Sequence, residues 1–255
     1  MRWRRSRSST ETRILPIPPT REDRVKLRWV LPCAIPGSRG GESLDRAISP
    51  QGSAEQQVLR FRIDLQDVTP EVWREIEVPA EWSFWLLHVA IQDAMGWLDC
   101  HLHAFVPAAG GERFVIGIPE GCRGESIEAG WDVPVARHFE QVGDRLFYKY
   151  DFGDGWRHEL RLVSRQAADP ALGYPRCVDG RGACPPEHCG GPPGYADLLD
   201  KLSGPRTDAY YQMVEWLRGH DGKHWPFDPE AFSVAAVRFS DGDERRRRLR
   251  PSIDD

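Results

Sequence analysis

The chain has 255 residues, 40% hydrophobic and 29% charged, with a formal net charge of −5. That supplies enough apolar material for one substantial core, and the acidic balance argues against a protein that coats nucleic acid through its global field. No apolar run approaches the roughly 20 residues that span a bilayer, and the N-terminus lacks the apolar stretch of a secretory signal, so a cytoplasmic, non-membrane protein is expected. Its six cysteines then read as thiols or metal ligands rather than disulfides.

Residues 1–55 are rich in Arg, Ser, Pro and Gly, with Arg2, Arg4, Arg5 and Arg7 at the front and no helical or strand period. They read as a disordered arm, either a solvated tail or a basic arm that touches nucleic acid or a partner. A folded domain is expected over residues 56–240, and residues 241–255, containing Arg245 to Arg248, read as a charged tail.

Within the domain, Leu59, Phe61, Ile63 and Leu65 alternate with Val58, Arg60, Arg62 and Asp64, which is strand periodicity. Val72 to Val78 repeats it after Thr69-Pro70, giving an antiparallel pair. Ser83 is placed to cap a helix whose Leu87, Ala90, Ile91, Ala94 and Met95 fall on one face, and Gly96 stops it. Next comes a strand with Leu102, Ala104 and Val106 expected on its core face, a turn at Ala109-Gly110-Gly111, and a partner over Phe114 to Ile118.

A looser acidic stretch from Glu120 to Val135 leads to a hairpin of Leu146 to Asp151 and Trp156 to Val163. Tyr195, Leu198, Leu199 and Leu202 form one helical stripe and Tyr210, Val214 and Leu217 another, before a short helix at Phe227 to Phe232. Strands come first and helices last without βαβ alternation. The expected class is α+β, a single domain with a mainly antiparallel sheet, one helix after the first strand pair and a helical C-terminal segment. The tryptophans, Trp73, Trp82, Trp85, Trp97, Trp131, Trp156, Trp216 and Trp225, read as core and rim, because stacking platforms come with a basic groove that is absent from the sequence.

Three constellations carry chemistry. The first is the hairpin tip Tyr148-Lys149-Tyr150-Asp151-Phe152-Gly153-Asp154-Gly155-Trp156-Arg157-His158, where a loop of two or four residues leaves Asp151 and His158 on one sheet face, a carboxylate orienting an imidazole. The competing reading makes Asp151 and Asp154 turn residues that accept from nearby amides, and an odd loop removes the pairing. The second is His101 and His103, at i and i+2 on one strand face, able to chelate a metal or simply half-exposed. The third is Cys177-x6-Cys184-x4-Cys189 with His188 beside the last thiol, a zinc knuckle or three inert thiols closing a Pro-Gly loop. Cys33, Cys100 and Cys122 lack such clustering.

The hairpin block, together with Cys184-Pro185-Pro186-Glu187-His188-Cys189-Gly190-Gly191, Gly96-Trp97-Leu98-Asp99-Cys100-His101-Leu102-His103-Ala104-Phe105 and Gly194-Tyr195, resembles the plasmid pRiA4b Orf-three-like family. The resemblance begins near Val58. It implies a compact α+β domain of plasmids and insertion sequences, uncharacterised and with no established reaction. The family pattern carries an acidic residue where this chain has His188, and Glu187 is the matching acid.

The sequence has no phosphate-cradling G-x-x-x-x-G-K-[ST], no dinucleotide fingerprint, no nucleophile elbow and no H-E-x-x-H. The favoured reading is therefore a non-enzymatic interaction or accessory module with a protein partner, no tight nucleic-acid binding by the folded domain, and no cofactor required, zinc being the one cofactor the cysteines suggest. The alternative is a metal-dependent hydrolase or nuclease drawing on His101, His103, Asp151, Asp154, His158 and Glu187.

Overall fold

The computed structural model describes residues 56–108, 114–119, 127–220 and 224–249. All of them fall within one compact unit, Cys33–Asp255. The arm read over residues 1–55, the Ala109-Gly110-Gly111 turn, Cys33, Cys122 and the start of the acidic stretch lie outside the described residues.

Eight strands form one sheet: β1 (Gln57–Leu65), β2 (Trp73–Pro79), β3 (His103–Pro107), β4 (Val115–Gly117), β5 (Ile127–Ala129), β6 (Arg145–Tyr150), β7 (Trp156–Ala167) and β8 (Arg176–Arg181). Their order is β5-β4-β3-β6-β7-β1-β2-β8. Every neighbouring pair is antiparallel except β4 with β5. Among the described residues, four α-helices accompany the sheet: α1 (Phe84–Met95), α2 (Gly191–Ser203), α3 (Asp208–Gly219) and α4 (Gly242–Leu249). The protein is α+β, as the sequence of elements implies.

Helix α1 begins where Ser83, in extended conformation, accepts a hydrogen bond from Leu86 N–H, and it ends at Gly96, whose φ of 84° is the left-handed conformation that glycine adopts without strain. Its apolar face lies against Phe61, Ile63, Ile76, Phe105 and Tyr148, all wholly buried. Edge-to-face contacts join Phe84 to Phe105 and Phe61 to Phe139, at 4.8 and 4.7 Å. Trp85, Trp97 and Trp156 are core, while Trp73 and Trp131 carry the guanidinium groups of Arg62 and Arg246. Among the described residues, no helix is long and apolar enough to cross a membrane.

Four local expectations need correction. On β3 it is His103 and Phe105, not Ala104 and Val106, that share the core face, because they pair with Tyr150 and Tyr148, whose rings point into the core. The β6–β7 loop spans Asp151 to Gly155, five residues, since Tyr150 pairs with Trp156. Residues Phe227 to Phe232 form a turn rather than a helix. Within the segment read as a charged tail, residues 242–249 form helix α4, docked on α1: Trp85 Nε1 donates to Gly242 O at 2.8 Å, and Arg245 donates to Asp93 at 2.6 Å and to Asp99 at 3.3 Å.

Candidate functional site

Three loops meet at one end of the sheet: residues 96–102 between α1 and β3, the hairpin tip 151–155, and residues 182–190 between β8 and α2. Each is pinned by its own chemistry. In the first, Trp97 Nε1 donates to Pro185 O at 2.8 Å, which ties it to the third. At the tip, Asp151 adopts φ 48° and its Oδ1 accepts from Gly153 N–H and Asp154 N–H at 2.9 and 3.2 Å, so it is a turn residue. Asp154 Oδ2 then accepts from Gly190 N–H at 3.1 Å, joining the tip to the third loop. The closeness of that junction requires glycine at position 191, where φ is 68° and a Cβ would stand 2.1 Å from Asp154 O.

The junction brings side chains together. His101 Nε2 lies 2.9 Å from His188 Nε2, 3.4 Å from Asp151 Oδ2 and 3.9 Å from Glu187 Oε2. The buried Cys100 thiol, His101 and His188 place their donor atoms within 4.8 Å of one another, and they are the only such trio among the described residues. Donors about 2.0–2.3 Å from a tetrahedral zinc stand roughly 3.3–3.8 Å apart, so these separations bracket those of an ion-binding set.

Glu187 is the unusual member. Its Oε1 accepts from Leu98 N–H and from the Tyr150 hydroxyl, both at 3.0 Å, while Oε2 is buried and, among the described residues, has no hydrogen-bond partner. The residue is 3% exposed. Burial raises its pKa and the Tyr150 phenol's. Burial lowers that of His101, against the opposing pull of Asp151, which favours the neutral imidazole that binds metals.

Of the six catalytic candidates read from sequence, the fold gathers His101, Asp151 and Glu187, with Asp154 at the edge. His103 and His158 lie elsewhere. His103 stacks on His88 of α1 at 3.5 Å between ring centroids, wholly inside the core, so the proposed chelate with His101 does not form. His158 sits opposite Tyr148 and beneath Trp97, with its pKa pushed down to about 3 by burial, and the five-residue loop separates it from Asp151.

The cysteine loop is also arranged differently from the expected knuckle. His188, with φ 58°, turns to His101, and Cys177, Cys184 and Cys189 do not bring three donors together. The pKa values of Cys184 and Cys189 are raised by burial, the latter to about 12, so the two side chains are thiols rather than thiolates.

From the sequence, Cys100 stands apart from any cluster, which the structure corrects, and Tyr150 and Asp99 carry no role. Asp99, with φ 57°, is held by His88 Nε2 at 2.8 Å on one oxygen and by Arg245 on the other, and His88 Nδ1 meets the Tyr148 hydroxyl at 2.8 Å. This buried network fixes the loop immediately before Cys100 and His101. The adjacent Cys-His pair was a signal available in the sequence; its partner His188, 87 residues away, was not.

The fold and cluster together define an α+β protein with a histidine, thiol and carboxylate centre at the loop end of an antiparallel sheet. The chain belongs to the plasmid pRiA4b ORF-3-like protein family, whose profile matches residues 57–236. It is 32% identical over 167 residues to the uncharacterised protein y4hQ of Sinorhizobium fredii, spanning 64% of this chain and 82% of that one. It also matches the crystal structure of MM3350, a protein of unknown function from Methanosarcina mazei, at 32% identity and a TM-score of 0.62, covering 72% of this chain and 99% of that one.

Proposed function

We propose that the protein is a metal-dependent hydrolase whose centre is formed by Cys100, His101 and His188, with Glu187 as the working carboxylate. The observation that carries this reading is Glu187 Oε2, buried 3.9 Å from His101 Nε2 and, among the described residues, without a hydrogen-bond partner, a state that is costly. Two imidazole nitrogens aimed at each other across 2.9 Å, with a thiol alongside, form a set suited to a zinc-class ion. Such an ion supplies water acidified to near neutrality. Glu187 is placed to take the proton and Tyr150 to hold Glu187 through its other oxygen, while Asp151 Oδ2, which faces the same His101 Nε2, adds a second carboxylate beside the ion. This favours the hydrolase alternative over the accessory-module reading.

The test is metal analysis after loading with Zn2+ or Co2+ and removal of excess. One equivalent is expected in the native chain, lost in His188→Ala and His101→Ala and kept in Cys177→Ser. Metal retained by His188→Ala but lost by Cys177→Ser would move the site to the cysteine loop. Tight binding with no turnover of any ester, amide or phosphodiester probe would return the protein to the accessory-module reading.

A further inference from the structure

A pocket of about 360 Å3 lies beside this centre, within the size range of small-molecule sites. Glu187 is the shared residue: it lines the pocket and stands 3.9 Å from His101, while Cys100, His101 and His188 are not among the lining residues. Trp97, Phe227, Phe232 and Val237 supply its apolar wall.

The charges in the lining decide what fits. Arg74 is the only Arg or Lys that lines the pocket among the described residues, and its guanidinium is already committed to the carbonyls of Trp73, Ala94, Arg181 and Gly182, with the Phe232 ring 4.0 Å away. Three carboxylates line the same space: Asp93 is already committed to Arg245 and Ser240, which leaves Asp228 and Glu187. Among the described residues, a phosphate would therefore lose water and meet acids without a free guanidinium or ammonium to pair with, whereas an uncharged or amine-bearing group meets acceptors.

We infer that the substrate of this centre is a small amide or ester with an apolar body, uncharged or amine-bearing, seated between Trp97 and Phe232 with its carbonyl towards Glu187. The inference rests on the hydrolase reading above and removes the nuclease from it. In the reaction, the oxygen of water ends on the acyl carbon, the acyl C–N or C–O bond breaks, and the proton taken by Glu187 passes to the departing nitrogen or oxygen. No oxidant or further reactant is required.

The probes are L-phenylalaninamide, L-alaninamide, phenyl phosphate and an oligothymidylate, titrated into the full chain with and without Co2+. Tryptophan fluorescence reports the pocket through Trp97, and cobalt absorption reports the centre. Phenylalaninamide should saturate, bind about 10–100-fold more tightly than alaninamide because its ring is buried, and shift the cobalt spectrum. Ala231→Trp, which fills the pocket from an exposed turn, should abolish both effects and leave Co2+ affinity unchanged.

Phenyl phosphate or oligothymidylate binding as tightly as phenylalaninamide would overturn the inference, as would equal affinity for the two amides. So would phenylalaninamide binding that leaves the cobalt spectrum unmoved. If Co2+ itself fails to bind, the hydrolase reading falls, and the fluorescence titration still decides the ligand class.

Discussion

Arg74 is 3% exposed and, among the described residues, has no carboxylate partner, so replacing it probes how a buried cation holds the site's scaffold. Its guanidinium donates to Ala94 O at the end of α1, to Trp73 O and Arg181 O across the β2–β8 edge, and to Gly182 O at the start of the third loop, at 2.7–2.9 Å. Burial lowers its pKa, so the carbonyls and the helix C-terminal dipole must compensate the desolvated charge. Arg74→Met keeps the volume and removes the donors. At about 1 kcal/mol for each carbonyl left without its donor, the expected loss is about 3–5 kcal/mol. For a domain of this size that lowers Tm by about 6–20 °C and leaves a folded protein if the native stability is ordinary. Arg74→Lys keeps the charge on a compact ammonium that cannot span all four carbonyls, and should recover about half the loss. Urea unfolding followed by circular dichroism measures both, with unchanged slopes marking true stability effects. A loss below about 1 kcal/mol for Arg74→Met, or a lysine variant worse than methionine, would refute the account.

On the opposite sheet face, Glu77 is wholly buried and accepts from Arg60 at 2.6 Å and Arg176 at 2.6 Å. Burial alone would raise its pKa, but the two arginines outweigh it and hold the value below the ordinary one. Its stabilisation is therefore complete above the unfolded-state value of about 4.3 and disappears as pH falls through the lower folded value. Glu77→Gln should cost about 2 kcal/mol at neutral pH, with the two proteins' melting temperatures converging in acid; a constant gap down to pH 2 would contradict this. Gly191→Ala should cost about 2–4 kcal/mol and weaken metal binding, because its Cβ would drive the Asp154 backbone away from the third loop. Gly143→Ala, at φ 102° but with open space around it, should cost only the backbone strain and leave metal binding intact; equal effects in both would remove the close-approach argument.

The strand pair β1–β2, helix α1 with its Ser83 and Gly96 boundaries, and the α+β class were legible in the sequence because each rests on local periodicity and capping, which neighbours a few residues apart specify. The face assignment of β3 was not legible: Leu102 and Ala104 offer an aliphatic face against the His103 and Phe105 rings, and only pairing with Tyr148 and Tyr150 selects His103 and Phe105 for the core. The parity of the hairpin loop likewise depended on whether Asp151 ended the strand or opened the turn, and one residue of difference moved His158 away from it. The helical fate of residues 242–249 rests on Asp93 and Asp99 receiving Arg245, contacts about 150 positions apart in the chain.

By itself, the sequence determined which residue types were available for chemistry and which local elements would carry them, since hydrogen-bond caps, glycine conformations and apolar periods act over one or two turns of chain. Only the tertiary structure decided that His101, Asp151, Glu187 and His188 meet while His103 and His158 do not. Their convergence depends on loop closure between distant segments, on strand register and on the close Gly191–Asp154 approach. No spacing in the chain encodes those quantities directly.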